Sequence, residues 1–375
     1  MNFGFTEEQD FLREAVRKFV DERCPMSEVR QLMTSQYAMS DGLWDEMAAM
    51  GWLGLLVPDE YGGAGLGWVD FVVLLEETGR TLMPSPLLSS AVAMTAIRET
   101  GSDSQKERWL PGFASGELIG SFAWLEANDV PSIEGIRLEA EVSGQGAAAE
   151  HVLHGEKVFV ADAERADVFV VAYRAGSSFC LAVVPRETKG LSVSAHSSLD
   201  ETKRQARLTL DGVRISAADR LDSADAQATI SFLLDCGAIA VTAEALGACE
   251  GALGITVQYA KDRVQFGSPI GRYQGVKHRL ADIWVDTESI KSLLYFGAWT
   301  IENERASLAR YASLAKAYIA DAFTRIGVDC VQLHGAVGYT LEYDIQLYLK
   351  RSKWVRAAYG DGDFHRDRLA SLRDL

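Results

Sequence analysis

The spacing of apolar residues changes twice along the chain, and the changes divide it into three parts. Up to about residue 118 it keeps the helical period. Phe11, Leu12, Val16, Phe19 and Val20 fall on one predicted helical face, after a Thr6-Glu7-Glu8-Gln9 run with the form of a capping box. Further helices are predicted over residues 40–50, 68–80, 86–99 and 104–115. From about Gly120 to Leu221 the period is two. Short runs rich in β-branched and aromatic residues occupy 138–142, 147–153, 157–161, 168–173, 179–185, 191–194 and 205–213, the pattern of a mostly antiparallel β-domain of barrel or sandwich type.

The helical period then returns. About thirty-five alanine-rich residues without proline, starting at Asp225, predict one long helix. Phe266-Gly267-Ser268-Pro269 is expected to end it, Ile270-Gly271 to turn the chain, and 273–292 to form a second helix. Two more are predicted at 307–333 and 342–358, completing a four-helix bundle. The expected architecture is therefore α+β multidomain: 1–118 helical, 119–222 β, and 223–375 a helical bundle.

A chain of 375 residues exceeds one ordinary core, and 48% hydrophobic with 24% charged residues is a globular composition. The net charge of −16 opposes nucleic acid and anionic membranes, so no partner of either kind is expected. Asp235, Glu244 and Glu250 interrupt the apolar run of the long helix, and Glu7, Glu8 and Asp10 make the start unlike a signal peptide. Five scattered cysteines without a C-x-x-C pair predict reduced thiols in a cytoplasmic protein, with no zinc or disulfide framework. His151 and His154 are a local pair without a thiol neighbour or a metal-ligand spacing and are read as loop or strand surface. The loop Tyr61-Gly62-Gly63-Ala64-Gly65-Leu66-Gly67 lacks the G-x-G-x-x-G spacing and a surrounding βαβ unit, so it is read as a close-packed connection.

The predicted corner between the first two long helices gathers Arg263, Gln265, Phe266 and Gln274. One fixed cation, one flat ring and two amides suit an aromatic dinucleotide with a pyrophosphate. The alternative is a helical hairpin with solvated polar residues.

This stretch resembles the R-x-Q-F-G-x-x-I-G-x-x-Q segment of the acyl-CoA dehydrogenase family, with every motif position filled from Arg263 to Gln274. WDEMAAMGWLGLLVPDEYGGAGLGWVD at 44–70 and QLHGAVGYTLEYDIQLYLKRSK at 332–353 resemble the same family in the same order. The resemblance implies the α, β, four-helix-bundle order and FAD-dependent removal of two hydrogens from an acyl-CoA. It also implies electron delivery to an electron-transfer flavoprotein-like acceptor, and a homo-tetramer or an α2β2 hetero-tetramer.

By the resemblance, Arg263 meets the pyrophosphate, Phe266 packs on the cofactor, and Gln274 serves the adenosine end. Gln332 with His334, Gly335 and Ala336 closes over the pyrophosphate of a flavin held mainly by an adjacent subunit, Ala336 replacing a usual glycine. On the β-domain side Leu125 and Ala161 stand where the family carries hydroxyls beside the flavin, with Phe159 in place of its tryptophan. The usual catalytic glutamate after a tyrosine is replaced by Gly360, and the alternative base position on the long helix is Gly237. Asp235 keeps the aspartate of the family's Asp-x-x-Arg, whose arginine is lost at Ala238. Glu244 lies about 10 Å further along the helix, too far to substitute. Asp361, one residue past Gly360, is the candidate general base, the alternative being a helix-flanking or structural residue. Three readings follow: an autonomous dehydrogenase, the base-poor subunit of a mixed tetramer, or a catalytically silent member that binds a partner chain or acyl-CoA.

Overall fold

The computed structural model describes residues 5–144, 149–221 and 223–373. Six helices come first: α1 Glu7–Arg23, α2 Met26–Thr34, α3 Asp41–Ala49, α4 Trp68–Arg80, α5 Leu87–Thr100 and α6 Asp103–Ser115. Eight strands follow: β1 Gly120–Ala123, β2 Ala140–Ser143, β3 Glu150–Ala161, β4 Val168–Ala175, β5 Ser178–Pro185, β6 Leu191–His196, β7 Gln205–Ile215 and β8 Arg220–Leu221. The last part holds α7 Ala226–Asp262, β9 Val264–Gln265, β10 Ser268–Pro269, α8 Gln274–Asn303, α9 Arg305–His334, α10 Ile345–Ala357 and α11 Gly362–Ser371. The order is a helical N-terminal domain, a β-sheet middle domain and a helical C-terminal domain.

Packing groups these elements into two compact units. One combines the chain up to Met33, Trp68–Met83 and everything from Ala238 onward; the other combines Thr34–Gly67 with Pro84–Gly237. The division falls inside α7.

In the first unit α1 starts at the predicted capping box: the Gln9 amide donates to Thr6 Oγ1 at 3.2 Å, and the Thr6 amide to Gln9 Oε1 at 3.1 Å. Val16, Phe19 and Val20 are buried as expected. Phe11 is not: it is 74% exposed, one residue off the stripe that faces α4. The helices α4 and α7 meet backbone to backbone. A Cβ on Gly79 would lie 2.1 Å from the Glu244 carbonyl oxygen, one on Gly247 1.8 Å from that of Glu76, and one on Gly251 2.1 Å from that of Arg80. Beside this crossing Glu76 and Glu77 are fully buried. Arg13 reaches both at 2.8 and 3.1 Å, Arg17 reaches Glu77 at 2.7 Å, Lys291 reaches Glu76 at 3.3 Å and Glu250 at 2.9 Å, and the Tyr295 hydroxyl donates to Glu76. The most apolar window of α7 is long enough to cross a bilayer but 94% buried, which makes it a core helix.

In the second unit two four-stranded sheets have the orders β1-β4-β5-β8 and β2-β3-β7-β6. Among the described strand pairs β1–β4 is parallel and the others are antiparallel, with one isolated parallel bridge between Glu139 and Arg174. The runs expected at 147–153 and 157–161 form one strand, β3, because two ladder irregularities absorb the break in alternation at Leu153/His154 and between Lys157 and Val160. Residues 147 and 148 of the first run lie outside the described residues. His151, read as surface, is buried: its Nδ1 meets the Tyr173 hydroxyl at 2.9 Å and Arg220 donates to its Nε2 at 3.0 Å. Burial, then the Arg220 charge, hold its pKa below the ordinary value. The glycine-rich loop is a close-packed connection as expected, since a Cβ on Gly63 would lie 2.0 Å from the Val57 carbonyl oxygen.

The corner after α7 differs from its prediction. The helix stops at Asp262, and β9 and β10 form a two-residue-strand hairpin whose tip, Phe266 (φ 52°) and Gly267 (φ 75°), is left-handed at both positions. That pair closes a tight hairpin, so Gly267 serves the turn and not a helix end. The helix α8 runs to Asn303, well past the predicted end, and α11 adds a short fifth helix after the expected four.

Candidate functional site

The hairpin of the first unit is held by its backbone and presents its side chains outward. The Arg263 amide donates to the Tyr259 carbonyl at 2.8 Å, its own carbonyl accepts the Ile270 amide at 2.8 Å, and the Tyr273 hydroxyl donates to the Gln265 carbonyl at 3.1 Å. Arg263, Gln265 and Gln274 are exposed, and Phe266 is 93% exposed. No carboxylate among the described residues pairs with Arg263, which leaves its guanidinium available to an anion.

Tyr259 ties this hairpin to the end of α9. Its hydroxyl donates to the His334 carbonyl at 3.2 Å, and its ring lies 4.4 Å from the His334 imidazole. Expected to close over a pyrophosphate, the His334 side chain is instead buried between Tyr259 and Tyr343, with Nδ1 2.7 Å from the Cys330 carbonyl. That carbonyl assigns a proton to Nδ1, and burial holds the imidazole's pKa below its ordinary value against the opposing hydrogen bond to Cys330. What faces outward is Gln332 and the backbone of Gly335 and Ala336. Gly335 has φ 64° and open space where a Cβ would stand. An unneutralised guanidinium, exposed amides and an open glycine fit the phosphate-rich half of a flavin nucleotide.

In the second unit, Leu125 and Ala161 present no hydroxyl, and their carbonyls already accept the Val158 amide at 2.9 Å and the Ser121 hydroxyl at 2.6 Å. Phe159 is half-exposed, left-handed at φ 51°, and set against His196 at 5.1 Å. Side chains that could bond the polar edge of a flavin ring are absent at positions 125 and 161. Beneath the 124–126 segment lies a pair that sequence reasoning missed. The fully buried Lys157 Nζ donates to Glu126 Oε1 at 2.6 Å and to the Trp124 carbonyl at 3.2 Å, while Glu126 also accepts the Arg137 and Leu138 amides. Burial pulls the Lys157 pKa down to about 8 against the opposing attraction of Glu126.

At the base positions, Gly237 and Asp235 are buried on α7, and Glu244 is buried 3.9 Å from Arg351. Asp361 is the N-cap of α11: its Oδ1 accepts the Phe364 amide at 2.9 Å. Behind it Lys316, fully buried, donates to the carbonyls of Gly360 at 2.6 Å and Arg356 at 3.3 Å. A lysine in a helix whose other charged residues, such as Arg305, Arg310 and Arg325, are not buried gives no sequence signal of such burial.

The sequence profiles of the acyl-CoA dehydrogenase N-terminal and C-terminal domains match residues 6–117 and 227–372. The acyl-CoA dehydrogenase IpdE2 of Mycolicibacterium smegmatis is 30% identical over 92% of this chain and 93% of its own. The ChsE4-ChsE5 complex from Mycobacterium tuberculosis superposes with TM-score 0.90 at 26% identity, covering 100% of this chain and 99% of the other. A variant of the Tcur3481-Tcur3483 steroid ACAD gives 0.89 at 29% identity, with 98% of each chain covered.

Proposed function

The chain belongs to the acyl-CoA dehydrogenase family, oxidoreductases acting on CH-CH donors, and we propose that it serves FAD-dependent α,β-dehydrogenation of an acyl-CoA thioester as the base-poor subunit of a mixed tetramer. One observation carries this reading: the phosphate-binding groups of the first unit are exposed and unneutralised, while positions 360, 237, 125 and 161 lack the side chains that the chemistry needs.

When bound, FAD supplies the hydride acceptor for the β-carbon. This chain would offer Arg263 to the pyrophosphate, the Phe266 ring as a packing surface, Gln274 toward the adenosine end, and Gln265 as a further amide of the same hairpin. Gln332 and the exposed backbone at Ala336 would face the phosphates from the end of α9, where Gly335, whose own N–H is taken by the Gln332 carbonyl, leaves room for close approach. Removal of the proton beside the thioester carbonyl needs a free carboxylate within hydrogen-bond reach. Asp361, the chain's own candidate, is engaged in capping α11. That engagement favours a partner chain as the source of the base. Exposed Trp284 and Val285 on α8 and Val328 on α9 supply apolar surface for association. The mixed complexes named among the similar structures support the hetero-tetrameric form over a homo-tetramer. Bulky fatty or steroid side-chain thioesters are the proposed substrates, an electron-transfer flavoprotein-like carrier the acceptor, and the cytoplasm the compartment.

The test is to purify the chain alone and together with a base-bearing homologue, record flavin absorbance, and add acyl-CoA. A colourless, inactive chain that becomes yellow and substrate-bleached on co-expression is expected. A yellow single chain that acyl-CoA bleaches, and that Asp361→Ala abolishes, would overturn the mixed-complex reading.

A further inference from the structure

We infer that the turn through Tyr359 and Gly360 is locked so that no side chain can act from position 360, and that Lys316 is the residue that positions it. The inference rests on the proposed function only in taking the proton acceptor to come from another chain. Both residues are left-handed, Tyr359 at φ 56° and Gly360 at φ 97°. The second value lies beyond the left-handed well that residues with side chains tolerate.

Each carbonyl of the turn is held from the protein interior. His365 Nε2 donates to Tyr359 at 2.9 Å while its Nδ1 faces Ser313 Oγ at 3.2 Å, and the buried Lys316 Nζ donates to Gly360 at 2.6 Å. The Gly360 amide donates to the Ala357 carbonyl at 3.1 Å. The space a side chain would need is taken. A Cβ on Gly360 would lie 2.5 and 3.0 Å from Phe364 Cδ1 and Cε1, and 3.1 Å from His365 Nε2. The Phe364 backbone is held by the Asp361 cap, and its ring packs edge-on against the His365 imidazole at 5.0 Å. Loss of the glutamate is therefore built into the backbone path, and returning a carboxylate to position 360 does not return a base.

Two measurements on the full-length chain decide this. Gly360→Glu is expected to lower the thermal midpoint by about 4 °C or more. Phe364→Ala in that background is expected to restore part of the loss, although Phe364→Ala alone also lowers the midpoint. A Gly360→Glu chain with the wild-type midpoint, or a double variant no better than the single one, overturns the lock. Proton abstraction is then read without flavin, as deuterium exchange at the α-carbon of butyryl-CoA by NMR, with binding verified by calorimetry. Gly360→Glu is expected to exchange no faster than wild type. Adding Lys316→Met, which frees the Gly360 carbonyl, is expected to raise exchange about tenfold or more. Exchange by Gly360→Glu alone, or a Lys316→Met double variant that only loses stability, overturns the role given to Lys316. A chain that binds neither butyryl-CoA nor a long-chain or steroid side-chain thioester fails the proposed function instead, and the thermal midpoints still decide the lock.

Discussion

The Asp361 carboxylate receives the Phe364 amide at the first turn of α11, a task for which its short side chain is suited. Asp361→Ala is expected to cost about 1 kcal/mol of stability, measured by urea unfolding. Lys316 and His365, beneath the same turn, make stability depend on pH. Burial lowers the Lys316 pKa from 10.5 to about 7, against the attraction of Asp361 and Asp321. Between those values the unfolded chain binds more protons, so stability rises with pH above about 7, and Lys316→Met should flatten that rise in a urea series. Burial, then the Lys316 charge, lower His365 from 6.5 to about 3. Its contribution is lost as pH falls below 6.5, and a substitution that keeps the fold should shift acid unfolding to lower pH. The helix-flanking role of Asp361 was legible in the sequence; the burial of Lys157 and Lys316 was not. Their burial depends on carbonyls more than thirty residues away in the chain. The exposed corner that carries Arg263 was legible because the backbone bonds that build it are local, to Tyr259 and Ile270.

Among the elements, the α4–α7 crossing shows what periodicity can and cannot say. The long apolar run of α7 announced a core helix, but not that Gly247 and Gly251 are the points where another helix touches it. Gly247→Ala would place a methyl 1.8 Å from the Glu76 carbonyl oxygen, so the helices must part; a loss above about 3 kcal/mol is expected in chemical unfolding. Glu76→Gln leaves Arg13 and Lys291 facing one charge fewer in a buried setting and is expected to cost about 3–5 kcal/mol in the same assay. The sequence reading found most helices within a few residues. It missed the hairpin after α7 because strands of two residues have no period, and because Phe266 adopts a backbone form that is rare for an aromatic residue.

At the level of the whole molecule, the α, β, α order follows from where the period switches between 3.6 and 2. The membership of the compact units does not, because α1 packs mainly on α4 and α4 in turn packs on helices beyond residue 238. Such long-range choices rest on matched surfaces, for example buried Glu76 and Glu77 against Arg13 and Lys291, which no local window contains. Light scattering is expected to give a larger assembly for the co-expressed pair than for the chain alone. The three-segment origin of the first unit also bears on how the protein is made. Helices α1 and α4 leave the ribosome long before α7 and α8 exist to cover them, so the nascent chain carries ionic and apolar surface that only the final third of translation can shield. A chain stalled near residue 230 should therefore be cut readily within α1 by a protease and be held by chaperones, and neither should happen once synthesis is complete.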